Sequence, residues 1–410
     1  MTAFFLAIAS VLLAGLALLP GSLGILKFTH KVAATPRGAY LLFKLSLPVY
    51  VLSLGLLASS GFLAWQHDST RGVVLAAAVL IGGISFFAFL MHAGLMFKPV
   101  RDPIHISLDE AIKRFGEKEE IVGVLDAHGK PFAYVARLQR RPHIVYETDS
   151  ETPFISTHCI LAHSSMAYEM SGHFARPNIC ISSAVANNMV FYEKNKNLAF
   201  QQIYNQTTDG DNQLTPLPTV MTSLQSWKRV YPDSKVWIRP KEWRDTFYLK
   251  LLARASVIDP ASPDLVYPLQ NQVDQRLPLK AYVNGVTLAG EARAYALSMF
   301  KDAKTIEDTI GNEPVVFFAS DDGDFVQLYS RKLQAGQTAT FRALEAEKFQ
   351  DLETRSTWRI DGLCVSGKLN GTRLRPIPHY NKIFWFCWSD FFPKTTIYEH
   401  ERQESVESGV

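Results

Sequence analysis

Two imidazoles and a thiol crowd into six positions of this 410-residue chain, at His158, Cys159 and His163 of TPFISTHCILAHSSMAYE (152–169). Imidazole and thiolate are borderline to soft ligands, so the grouping suits zinc or copper, or a redox-active thiol. Spacing sets a condition on this chemistry. In a strand, His158 and Cys159 project to opposite faces, while Cys159 and His163 share a face but stand about 13 Å apart. They converge on one ion only where Ile160, Leu161 and Ala162 make a tight turn, which would also bring Met166, Met170 and His173 near as copper-type donors. The competing reading is a packed thiol beside surface histidines.

Other signatures of chemistry are missing. The chain has no Gly-x-Ser-x-Gly, no His-Glu-x-x-His, no Cys-x-x-Cys and no glycine-rich phosphate loop. Four cysteines are too few for a disulfide framework, and Cys387 within FWFCW reads as a small apolar core group.

The elements that must position the cluster are mostly strands. PFAYVARL, MVFYE and FVQLYSRKL alternate apolar and polar residues, and TPFISTHCILA and EPVVFFAS are β-rich runs opened by proline. SLQSWKRVYP and FWFCWSDFFP read as helices stopped by Pro232 and Pro393, and FRALEAEKF (341–349) reads as a helix.

These segments recur. At an offset of 161, Gly129, Ala133, Tyr134, Thr148, Pro153, Tyr168, Trp227 and Pro232 match Gly290, Ala294, Tyr295, Thr309, Pro314, Tyr329, Trp388 and Pro393. A repeat of that length buries its own core, so the pattern predicts a strand-dominated α+β domain used twice, as a first lobe at 120–260 and a second at 261–400. At the same offset Cys159 becomes Ser320 and His163 becomes Asp324, within a loop carrying Asp321, Asp322 and Asp324. Those acids suit a hard cation, or else a solvated hairpin turn.

Before the lobes the composition is that of a membrane segment. Residues 1–26, 45–66 and 72–97 carry no charge, which predicts three transmembrane helices at about 3–26, 44–65 and 73–97 within a segment 1–98. His92 falls in the last of them as a helix-end polar residue or a site marker. The alternative for the first helix is a secretory signal, although it lacks a basic start and a small-x-small cleavage site. SLDEAIKRFG, with its serine cap, reads as an amphipathic helix within a linker at 99–119, and 401–410 as a disordered tail. Basic residues concentrate in the first loop (Lys27, Lys31, Arg37, Lys44), which places that loop and the lobes in the cytoplasm. The basic excess belongs to this segment. The rest of the chain is close to neutral, with no field for nucleic acid and no indication of a phosphate-binding partner.

TIEDTIGNEPVVFFASDDGDFVQLYSR (305–331), NNMVFYEKNKNLAFQQ (187–202), LRPIP (374–378) and FWFCWSDFFPKTTIY (384–398) resemble segments of a prokaryotic family, DUF3179, over about residues 120–400. The resemblance implies an exported or membrane-attached protein with no assigned activity, which sets an extracytoplasmic placement against the cytoplasmic one. The family's first half typically has Thr-Tyr-Cys-Pro-Leu-Cys-Gly where this chain has STHCILAH. Cys159 keeps the first cysteine, Ala162 replaces the second, and His163 stands where glycine is usual.

The reading that follows is a multi-pass protein of a prokaryotic inner (cytoplasmic) membrane. Its partners are the lipid bilayer and a membrane protein, not nucleic acid, and its first lobe offers a Cys159/His163 site with His158 for copper or zinc. The alternative is a non-enzymatic interaction or scaffold module.

Overall fold

The computed structural model describes residues 1–18, 36–65, 68–91 and 97–399, apart from positions 176, 197, 208–209, 211–212, 252–254 and 334–335. The loop bearing Lys27 and Lys31, His92, the side chain of His173 and the tail 401–410 lie outside the described residues. The chain divides between Val273 and Asp274 into two compact units.

The first unit begins with three helices, α1 (Thr2–Leu18), α2 (Pro36–Trp65) and α3 (Asp68–Met91), which pack on one another. Their contacts are made by small residues. Ala3, Ala7, Ser10, Ala14, Ser60, Ala64 and Ala77 are buried, whereas Phe5, Leu12, Leu47, Phe62, Leu75 and Val79 face outward. Ser60 Oγ crosses from α2 to donate to the carbonyl of Ala3 at 2.6 Å. Of the three spans expected, only one among the described residues, Lys44–Trp65, has the length and apolarity to cross a membrane. Helix α1 is shorter, since its 17 residues reach about 26 Å against a hydrocarbon core of about 30 Å. The apolar part of α3 is Thr70–Ile84.

A short strand, β1 (Ile104–Ser107), leads into α4 (Leu108–Phe115), where Ser107 caps the helix by accepting from the Glu110 amide. Two sheets follow. One has the order β1, β13 (Lys235–Ile238), β3 (Pro131–Val135), β2 (Glu120–Leu125), β12 (Thr219–Ser223), with β13 parallel to β3. The other has the order β11 (Pro216–Leu217), β6 (Ser164–Glu169), β5 (Phe154–Cys159), β4 (Ile144–Glu147). Val122, Val124, Phe132, Tyr134, Val145, Phe154, Ala167 and Trp237 fill one core drawn from both sheets. A third sheet holds β7 (Ile179–Val185), β8 (Asn188–Glu193), β9 (Leu198–Gln201) and β10 (Gln206–Thr207). Helix α5 (Ala136–Gln139) follows β3, and α6 (Leu224–Val230) follows β12 and lays Trp227 over the backbone of Gly123. Helices α7 (Trp243–Leu251) and α8 (Ala255–Ile258) close the unit.

The second unit has its own three sheets. The first is β23 (Tyr380–Phe384), β14 (Tyr282–Leu288), β15 (Glu291–Ala296), β24 (Thr396–Ile397), in which β24 is parallel to β15. The second is β16 (Thr305–Ile310), β17 (Glu313–Ala319), β18 (Val326–Ser330), and the third is β19 (Phe341–Ala343), β20 (Lys348–Asp351), β21 (Thr357–Arg359), β22 (Cys364–Ser366). Helix α9 (Trp385–Phe391) lays Trp388 over Gly285. Numbering connects the units: β12 and β23, and likewise α6 and α9, begin and end 161 residues apart. The strand order β13, β3, β2, β12 reappears as β24, β15, β14, β23, with the same parallel pair at its end.

The helix expected over 341–349 is instead the hairpin β19–β20. Its alanine and glutamate content favours a helix, but Ala346 and Glu347 take φ of 56° and 54°, which turns the chain back. Phe341 and Phe349 can then both pack on Phe318.

Candidate functional site

The carboxylate of Glu147 is fully buried where the two principal sheets of the first unit face each other. Strand β4 ends at this residue, opposite Phe154 of β5. Such a charge needs partners, and they come from both sheets. Tyr134 of β3 donates its hydroxyl to Oε2 at 2.7 Å, and the amide of Asp149 donates to Oε1 at 3.0 Å. His105, set opposite Trp237 by the pairing of β1 with β13, brings Nε2 to 2.9 Å from Oε2. Its other nitrogen, Nδ1, lies 3.5 Å from Asp149 Oδ2.

The imidazole therefore stands between two carboxylates, one fully buried and one half exposed. One ligand atom from each of His105, Glu147 and Asp149 falls within 4.8 Å of the others, the one such set of three metal-ligating side chains among the described residues. Burial, followed by the adjacent Glu147 charge, holds the Tyr134 phenol well above its ordinary range, so it acts as a donor.

A related arrangement occurs in the second unit. Tyr295 of β15 donates to Asp308 Oδ2 of β16 at 2.6 Å, and Arg293 grips the same carboxylate at 2.6 and 2.7 Å. Tyrosine and acid recur at an offset of 161, with Arg293 as the further partner of the carboxylate where the first unit has His105.

The cluster expected from the sequence is divided by its own hairpin. Strands β5 and β6 are joined by a tight turn at Ile160–His163, where His163 has a φ of 49°. That left-handed conformation is one that glycine adopts most readily. His158 is buried, with Nδ1 2.9 Å from Ser165 Oγ, and its ring lies edge-on to that of His163 at 6.0 Å. His163 Nε2 lies 3.1 Å from Glu120 Oε2. Among the described residues Cys159 belongs to no group of three ligands; its thiol is 3.5 Å from the carbonyl of Asn187. Burial pushes that thiol up to about 11 and holds His158 well below the usual histidine range, so one stays a thiol and the other a neutral ring.

The acidic loop of the second unit is a hydrogen-bonded hairpin turn. Asp322 accepts from Ser320 Oγ at 2.6 Å and from the Asp324 amide at 3.0 Å around Gly323, whose φ is 69°. Asp324 pairs with Lys382 Nζ at 2.9 Å, and the carbonyl of Asp321 accepts from Lys304.

Sequence reasoning missed His105, Glu147 and Asp149. The repeat offered one clue: both Tyr134 and Tyr295 are followed, 13 positions on, by an acid. His105 precedes the repeated region and offered none.

Set beside known protein families, residues 99–395 match the model of the family described as "Protein of unknown function (DUF3179)". No curated protein and no solved structure matches the chain.

Proposed function

This chain belongs to the DUF3179 family, and we propose that it is a membrane-seated protein whose first half holds one divalent cation between His105, Glu147 and Asp149. The observation that carries the reading is the convergence of an imidazole and two carboxylates from separate strands and a loop. A set of one nitrogen and two oxygen donors suits zinc and related first-row ions, whereas copper(I) favours a thiolate that this set lacks. Each ring nitrogen of His105 faces a carboxylate, and a nitrogen that ligates a cation carries no proton, so metal and proton compete for the imidazole. Binding therefore strengthens as pH rises. Tyr134 stays behind the site and fixes the Glu147 carboxylate, as a hydrogen-bonded outer partner does for a metal ligand.

Dialysis of the full-length chain against zinc, followed by elemental analysis, tests this. A stoichiometric zinc that is lost in Asp149→Asn supports the site; full retention in that variant removes it. A separate Cys159/His163 site with His158, for copper or zinc, would require the thiol to leave its contact with Asn187. Loss of metal in Cys159→Ser but not in Asp149→Asn would favour it.

Seating in a bilayer is supported by the inverted packing of α1–α3. Alanine and serine lie inside while leucine, valine and phenylalanine lie outside, the reverse of a bundle in water and the pattern of helices packed in lipid. On this reading all three helices enter the membrane together. We also read the two halves as a duplication, from their matched strand orders, the 161-residue offset and the Tyr–carboxylate pairs.

A second reading is a binding module without a metal. The Tyr295–Asp308–Arg293 group favours it, because there the same frame serves as a fixed link between sheets. Zinc analysis separates the two.

A further inference from the structure

Strands β3 and β13 run parallel, so the segments leaving their C-terminal ends emerge on the same side of the sheet. Arg141 lies in the segment after β3 and Arg239 directly after β13. With Lys98 and Arg244 they line a cavity of about 310 Å³. The sequence showed no such concentration of charge, because nearly a hundred residues separate Arg141 from Arg239.

Two of these cations are already committed. Arg141 pairs with Asp245 Oδ1 at 2.6 Å and with Glu242 Oε2 at 2.5 Å, and Arg239 also pairs with Asp245 Oδ1 at 2.6 Å. Both guanidiniums are nearly buried, and Arg239 further donates to the carbonyls of Leu138 and Arg141. Two carboxylates thus face four cations. Arg244 lies over the ring of Trp243, and its Nε is buried without a hydrogen-bond partner among the described residues. A buried charged donor in that state calls for an acceptor.

The position of the cavity narrows the choice of anion. Lys98 follows within a few residues of the end of α3 at Met91, and Trp243 beside the cavity is 58% exposed. Basic side chains and tryptophan at the end of an apolar helix are the residues that meet lipid headgroups. Guanidinium matches a phosphate in pairs of parallel hydrogen bonds. We infer that this cavity binds a phosphate-bearing anion, and that in the membrane the anion is the headgroup of an acidic phospholipid. The headgroup assignment rests on the bilayer seating proposed above; the phosphate assignment does not.

The test is calorimetric titration of the full-length chain in neutral detergent with dioctanoyl phosphatidylglycerol and, separately, with inorganic phosphate. The variant is Lys98→Gln with Arg244→Gln, which leaves the Arg141–Asp245–Arg239 network in place. Saturable binding of the lipid, weakened about tenfold or more in the variant, is expected, since charge-assisted hydrogen bonds are lost. Equal, variant-sensitive binding of inorganic phosphate would support the phosphate site and overturn the headgroup assignment. No binding of either probe, or binding unchanged in the variant, would overturn the inference. Flotation of the protein with phosphatidylcholine vesicles reports on bilayer seating independently, and a thermal melt of the variant that matches the parent protein confirms that it is folded.

Discussion

The indole of Trp227 lies so close over Gly123 that a Cβ at that glycine would sit 2.3 Å from Cζ3 of the ring. The neighbouring strand position, opposite Gly123, is Ala133, so small residues make the bed on which the ring rests. In the second unit Trp388 lies over Gly285 with the same 2.3 Å clearance, and Ala294 stands opposite. Since both tryptophans are buried and in tight contact, Gly123→Ala should destabilise the first unit by about 1–3 kcal/mol or more through overpacking. Denaturant unfolding followed by tryptophan fluorescence checks it, and an unchanged midpoint would contradict this packing.

Tyr134→Phe removes one donor from a buried carboxylate without changing shape. The expected cost is about 1–3 kcal/mol. Tyr295→Phe should cost less, because Asp308 is less buried than Glu147 and keeps two hydrogen bonds from Arg293 and one from the Thr309 amide. Thermal melts of the two variants side by side measure the difference; equal losses would mean that the arginine contributes little.

Acid should weaken the fold through its buried histidines. Burial lowers His143 to about 4 and His158 further below its ordinary range. Between pH 6.5 and about 4 the unfolded chain binds protons at these rings and the folded chain does not. Stability is therefore full above about 6.5 and falls as pH drops, by roughly 3 kcal/mol for His143 alone at 1.36 kcal/mol per unit. A flatter melting profile in His143→Gln than in the parent protein over this window is the expected result.

None of the four cysteines forms a disulfide and all are buried, and burial pushes the Cys159 thiol up to about 11. A thiol reagent at pH 8 should label none of them until denaturant is added. Rapid labelling of Cys159 in the folded protein would revive a reactive-thiol role for the β5–β6 turn.

Much of the fold was legible because the signals are local. Proline-opened β runs gave β5 and β17, and Pro232 and Pro393 follow α6 and α9 closely. The hairpin over 341–351 was not, because helix-favouring composition outweighed the pull of Phe341 and Phe349 toward Phe318, a contact distant in sequence. The site was legible only in part. His158, Cys159 and His163 are adjacent in sequence, but strand alternation and the turn direct them to separate partners. His105, Glu147 and Asp149 are brought together by the packing of two sheets across 44 positions, and no short window contains them all.

His105→Arg should give a first unit that still folds, with the guanidinium between Glu147 and Asp149, but takes up no zinc. Elemental analysis together with a melting curve would show both; zinc uptake equal to the parent protein would place the ion elsewhere.

Arg293 never gives up its proton, so the link it makes with Asp308 is a rivet, indifferent to the medium around the protein. Its counterpart at His105 is a latch. An imidazole can exchange a proton for a metal ion, so the proposed site would let the first half register what surrounds it. The second half, with its matching strand order and its arginine-held carboxylate, would then serve as an internal blank against which that response is read within one molecule.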